Sequence, residues 1–122
     1  MMMMMTMMMT TIGKVLIVIA TCYHAVASQT NDDPLTTADG TRIESTGAAY
    51  DQRILAVSRD LLPVLPYGTQ VVVECDREEI NGVWTIHDTM NARYENTVDF
   101  LLNPGMPVFK EEITIHLTTK DD

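Results

Sequence analysis

Positive charge is scarce in this chain. Its 122 residues carry eight Lys and Arg against seventeen Asp and Glu, a net charge of −9. A nucleic-acid partner needs a basic face, so none is expected. Electrostatic docking on anionic lipid is disfavoured for the same reason. Long hydrophobic runs are also lacking. Past the Met-rich start, the run at 12–20 is broken by Gly13 and Lys14. It is far too short to span a bilayer, and no stable membrane insertion is expected. There are only two cysteines, Cys22 and Cys75, too few for a disulfide framework. Each sits in an apolar or β-rich run and reads as a small buried hydrophobe. A single bridge, with the oxidising compartment it implies, is the alternative. No CxxC, Cys/His pair or HExxH offers metal-ligand spacing. His24, His87, Asp88 and Asp99 do not improve on this, because His87 and Asp88 are adjacent and face opposite ways in a regular strand. G-x-S-x-G, P-loop and GxGxxG motifs are missing as well, so serine hydrolase and nucleotide chemistry have no support. No metal and no cofactor are implied.

What is present is a succession of short β-type runs. Residues 1–11 are almost all Met with Thr and read as a frayed N-terminus. The run at 12–20 is β-branched and reads as a buried strand. A cleaved secretory signal ending at Ala25-Val26-Ala27 competes with that reading. Residues 29–47 are rich in Thr, Asp, Asn, Gly and Pro and form a long loop. Further strands are expected at 53–58, 69–75, 83–87, 97–102 and 112–118. The last alternates Ile113, Ile115 and Leu117 with Thr114, His116 and Thr118, the period of a half-buried strand. Asn81-Gly82 is a hairpin signal. The only helical candidates are one turn near 61–65 and a second within 89–96. No internal repeat or linker is evident. One domain over 12–119 with a tail at 120–122 fits the length, and many short strands argue a sandwich or barrel.

The chemistry concentrates between two of these strands. Asp88 ends one, Asp99 lies in the other, and a polar loop with Thr89, Asn91, Arg93 and Tyr94 joins them. Strand ends linked by a polar loop are common sites of chemistry. Asp99 lies between Val98 and Phe100, a setting in which desolvation raises a carboxyl pKa. Plainer roles compete: a cap for Asp88, an exposed rim position for Asp99 and core packing for Trp84. Arg93 either binds a carboxylate or pairs with Glu95 or Asp99. Tyr23, Tyr67, Trp84 and Tyr94 are the aromatics able to stack on a sugar ring, with Tyr94, in the polar loop, the one expected to be exposed.

Asp88-Thr89 followed by Val98-Asp99-Phe100 resembles the "DTG…(I/V)D(L/F)" core of the 3D (three-aspartate) domain. That domain is a double-psi β-barrel related to membrane-bound lytic transglycosylase A and the RlpA-like proteins. Thr37-Ala38-Asp39-Gly40 is similar to the family's "TASG", Thr21-Cys22-Tyr23 to its "TAY", Ile54-Leu55-Ala56-Val57 with Leu62-Pro63 to "IAVDPRVIP", and Tyr67-Gly68-Thr69-Gln70-Val71 to "LGTKV". The resemblance covers roughly 21–117. It implies an all-β (mainly β) fold, a six-stranded double-psi β-barrel with one or two short helical turns. It implies a peptidoglycan-cleaving enzyme of the lytic transglycosylase type, with Asp99 as acid/base and Asp88 in support. Substrate contacts would come from Thr89, Asn91, Arg93, Tyr94, Asp39 and Tyr23. The chain departs from the family in two places. Met90-Asn91 replaces Gly-Gly, with Asn91 able to supply a left-handed backbone. The third aspartate falls at Ser58, leaving Asp60 or Asp39 as substitutes. The rival function is a barrel of the same kind that binds a glycan or protein without turnover. Either way the expected partner is peptidoglycan or another polysaccharide, the protein monomeric, and the location extracytoplasmic (periplasmic, secreted or phage-borne).

Overall fold

The structure, a computed structural model, describes residues 12–24, 36–43 and 49–118, with the side chains of Ile12, Gly13 and Thr118 left aside. The Met-rich start, the Ala25-Val26-Ala27 segment, most of the 29–47 loop and the end from 119 lie outside the described residues.

Six strands close into a barrel: β1 (Ile12–His24), β2 (Ile54–Val57), β3 (Gln70–Glu74), β4 (Gly82–Thr89), β5 (Thr97–Leu102) and β6 (Glu111–Thr118). The 12–20 run is part of β1, a strand as its β-branched pattern predicts. Among the described residues the only helical pieces are 3-10 turns, Ala49–Gln52 and Arg59–Leu61. The second matches the turn expected near 61–65. The 89–96 stretch holds no helix. It ends β4 and then makes a turn closed by Tyr94 N–H to Asn91 C=O at 3.1 Å.

Around the ring the order is β1-β5-β2-β4-β3-β6. Strands from the first half of the chain alternate with strands from the second, so every ladder joins the two halves. The β1/β5 and β2/β4 pairs are parallel and the other four antiparallel. Exchanging β1 with β4, β2 with β5 and β3 with β6 leaves both the order and the sense of every pair unchanged. The barrel thus has a pseudo-twofold axis that no repeat in the sequence announces.

Side-chain alternation sorts each strand into an inner and an outer face. Val18 and Ala20 of β1, Leu55 and Val57 of β2, Val71 and Val73 of β3, Trp84 and Ile86 of β4, Val98, Phe100 and Leu102 of β5, and Ile113 and Ile115 of β6 fill the interior. Trp84 meets Phe100 edge to face at 4.8 Å, and its indole N–H reaches Ile80 C=O at 2.7 Å. Trp84 is therefore core, with its one polar atom satisfied. At the end of the β3–β4 connection Gly82 has φ +108°, and an added Cβ would meet the Arg53 guanidinium at 3.3 Å. This is the glycine of the expected Asn-Gly turn.

β2 and the distal end of β5 are buried on their outer face as well. Ile54 and Leu101 join Ile43 and Ala49 in a second apolar cluster, with Tyr23 packed against it. The outer surface of the β5/β2 pair is thus a walled floor rather than an open rim.

Candidate functional site

On that floor a bulge in β4 sets the geometry. Leu55 pairs with Ile86, but Ala56 pairs with Asp88, so β4 carries one extra residue, His87. Bulges re-aim side chains. Here the bulge turns both His87 and Asp88 toward the 36–43 segment, where a regular strand would have sent them to opposite faces. It also brings Asp88 into a row with three other residues. Ala56 pairs with Asp99 on its other side, and Asp99 pairs with Thr21. Thr21, Asp99, Ala56 and Asp88 lie side by side across four strands, and the pseudo-twofold axis runs between Ala56 and Asp99. Two strand spacings place the Asp88 and Asp99 backbones about 10 Å apart. Only the Ala56 methyl, 3% exposed, separates the two side chains along the row.

The two carboxylates have different surroundings. Asp88 accepts from Ala38 N–H at 2.9 Å, Thr89 N–H at 3.0 Å and the Tyr23 hydroxyl at 3.3 Å. Burial pushes its pKa up, and these donors hold it back. Asp99 has one protein donor among the described residues, the Thr21 hydroxyl at 2.7 Å. Burial, first, then the negative charge of Asp88, lift it to about 6 against the Thr21 bond. The row therefore offers a donor-rich carboxyl and a donor-poor neighbour that keeps its proton into the weakly acidic range. Pairs of carboxyls set apart in this way divide acid and base roles. Tyr23 lies near both, with its phenol pushed well above its ordinary range by burial and by both aspartates. It stays neutral and donates to Asp88. It is a wall and a donor, not an exposed stacking platform.

Asp39 sits behind Asp88. Its Oδ1 accepts from the Thr37 hydroxyl at 2.7 Å and from the Thr41 hydroxyl and N–H at 2.8 and 3.1 Å. Its Oδ2 meets His87 Nδ1 at 2.7 Å. Burial opposes ionisation, but bonds from His87, Thr37 and Thr41 outweigh it and bring the pKa to about 2. Asp39 N–H in turn reaches His87 C=O at 3.2 Å. Asp39 therefore spends its oxygens on folding the 36–43 segment and latching it to β4. That latch delivers Ala38 N–H to Asp88.

Apart from Thr89, whose N–H bonds Asp88, the other expected residues contact neither carboxyl of the row. Ser58 is fully buried and accepts from Thr97 N–H at 3.0 Å, so its hydroxyl secures the start of β5. Asp60 accepts from Asn96 N–H at 3.0 Å, with its carboxyl held low by the Ser58 hydroxyl. Neither substitutes for a third aspartate at the row. Of the residues considered, only Asp39 lies close enough for its charge to act on Asp88. Asn91 caps Arg93 N–H at 3.0 Å. The left-handed backbone of this loop falls at Asn96, φ 51°, and not at Asn91. Arg93 lies over the Tyr94 ring at 4.9 Å and bonds its hydroxyl at 2.9 Å. Its partner is Tyr94, neither Glu95 nor Asp99. Thr89 accepts from the Tyr67 hydroxyl at 3.3 Å, which joins the exposed Tyr67 ring to the Asp88 end of the row.

Thr21, Ala56 and His87 were not expected at the site. Thr21 was within reach, since it shares a strand face with Tyr23. The bulge that recruits His87 leaves no mark in the sequence. No family model and no curated protein matches this chain.

Proposed function

We propose that the protein cleaves the glycan strands of peptidoglycan as a lytic transglycosylase, with Asp99 as the acid/base. The observation that carries this reading is the pairing across Ala56 of a largely desolvated Asp99 with a donor-rich Asp88. Asp99 protonates the glycosidic oxygen as the C1–O bond breaks. The positive charge that develops at C1 is stabilised by the nearby Asp88 carboxylate. The 6-hydroxyl of the same sugar then attacks C1, and its proton passes to Asp99, restoring the acid. One C–O bond breaks, one forms, and no water is consumed. The acidic surface is compatible with a polysaccharide bound through hydrogen bonds and the Tyr67 and Tyr94 rings. Such a substrate places the protein outside the cytoplasm. No helix among the described residues is long and apolar enough to cross a membrane.

The test is incubation with purified peptidoglycan followed by mass spectrometry for anhydro-sugar ends. General acid/base groups contribute about a hundred- to ten-thousandfold in rate. Asp99→Asn should lose activity on that scale while keeping its circular dichroism spectrum. Reducing ends in place of anhydro ends would make the protein a hydrolase. Glycan binding by calorimetry with no turnover would make it a binding barrel. That second reading draws support from Ser58, Asp60 and Asp39, all of which are engaged in structure.

A further inference from the structure

We infer that Thr21 is the positioning residue of the site, a hydroxyl rotor that tracks the protonation state of Asp99. The inference deepens the proposed function and rests on it only for its kinetic arm. Thr21 Oγ1 has two acceptors within reach, Asp99 Oδ1 at 2.7 Å and the backbone carbonyl of Val98 at 3.3 Å. A threonine hydroxyl carries one proton and can also accept. With Asp99 ionised, that proton points at Oδ1. With Asp99 protonated on Oδ1, the hydroxyl turns its proton to Val98 C=O and accepts from the carboxyl. Both states are hydrogen-bonded, and no heavy atom moves between them.

The parallel register supports this role. Thr21 is the direct partner of Asp99 in the β1/β5 ladder, and Ala20 is the partner of Val98. The backbone thus holds the hydroxyl over both acceptors. The charge acting on Asp99 is that of Asp88 from β4, opposed by the neutral Thr21 hydroxyl, and the Cys22 thiol of β1, raised by burial, stays neutral beside it. Tyr23 from β1 stays neutral nearby.

The experiment follows the Asp99 carboxyl carbon and the Val98 carbonyl carbon by NMR through a pH titration of the full chain. Thr21→Val keeps the branched shape without the hydroxyl, and Thr21→Ser keeps the hydroxyl without the methyl. In wild type and Thr21→Ser, Val98 should titrate with the midpoint of Asp99. In Thr21→Val the Val98 response should shrink to the through-bond effect of ionising the residue that follows it. The Asp99 midpoint should rise there by about one pH unit, the worth of one hydrogen bond to a charged group. A Val98 response no larger in wild type than in Thr21→Val overturns the rotor. An unchanged Asp99 midpoint in Thr21→Val, or an equal shift in Thr21→Ser, overturns the positioning role. In the kinetic arm, Thr21→Val should lose kcat and Thr21→Ser recover it. If the titrations behave as described but wild type forms no anhydro ends, the enzymatic reading fails and the Thr21 assignment stands.

Discussion

Asp99 occupies a position that its own ionisation destabilises. Its midpoint is about 6 in the folded chain against an ordinary 3.8. The folded protein therefore holds more protons than the unfolded one between those values, and stability falls as pH rises through that window. Asp39 has the opposite sign. At about 2 against 3.8, it contributes stability that is complete above pH 4 and lost as pH falls toward 2. Together these two groups place a stability maximum near pH 4, readable from thermal midpoints across a pH series. At pH 7, Asp99→Asn removes a desolvated charge. Each pH unit of displacement is worth about 1.4 kcal/mol, so the displacement from 3.8 to about 6 sets an upper figure of about 3 kcal/mol of added stability, less for a site open on one side. A variant that is less stable at pH 7 would mean that the carboxylate is better solvated than its burial implies. Activity should fall as pH rises above about 6, where Asp99 loses its proton. Asp88→Asn should move that fall to lower pH, because removing the neighbouring negative charge makes Asp99 easier to ionise. The two catalytic candidates were legible because Asp99 sits between Val98 and Phe100 and because the flanking motifs resemble a known pattern. The partners of Arg93 and Asp39 were not, since a polar loop sequence does not say which acceptor a donor will meet.

At the scale of elements, the strands were read with ends within a few residues, because their inward residues repeat with period two from Val71 to Val73, Trp84 to Ile86 and Ile113 to Ile115. The bulge at His87 escaped that rule, and with it the reason that Asp88 faces Asp99. A bulge is an exception to alternation, so a reading built on alternation predicts the wrong face at that residue. The 36–43 segment depends on the same irregularity. Asp39 holds it through Thr37, Thr41 and His87, and Ala38 N–H then reaches Asp88. Asp39→Ala removes four hydrogen bonds at once, from the Thr37 hydroxyl, the Thr41 hydroxyl and N–H, and His87. Hydrogen exchange at the amides of 38 and 39 should accelerate by about tenfold or more, as expected when roughly 1.4 kcal/mol of local hydrogen bonding is lost. Protection unchanged from wild type would mean that the segment is held by its apolar contacts, chiefly Ile43 in the outer cluster.

For the molecule as a whole, both cysteines are free thiols. Reductant should leave the thermal transition in place, and a large drop would require a bridge that this structure does not contain. Burial, foremost, lifts the Cys22 thiol to about 11. Its alkylation at pH 8 should be far slower in the folded protein than in denaturant, since the thiolate is the reactive form. β1 pairs with both β5 and β6 and contributes Val18 and Ala20 to the interior. Removing the chain through Ala20 should therefore abolish cooperative unfolding. The alternation of halves around the ring has a further consequence, for how the chain is made. β1, β2 and β3 have no ladder with one another, and neither have β4, β5 and β6. A nascent chain that has delivered its first three strands has not one native sheet partner to offer them, and must wait with open edges until the rest leaves the ribosome. Two fragments cut within the 75–81 connection should each be unstructured alone and should complement one another when mixed.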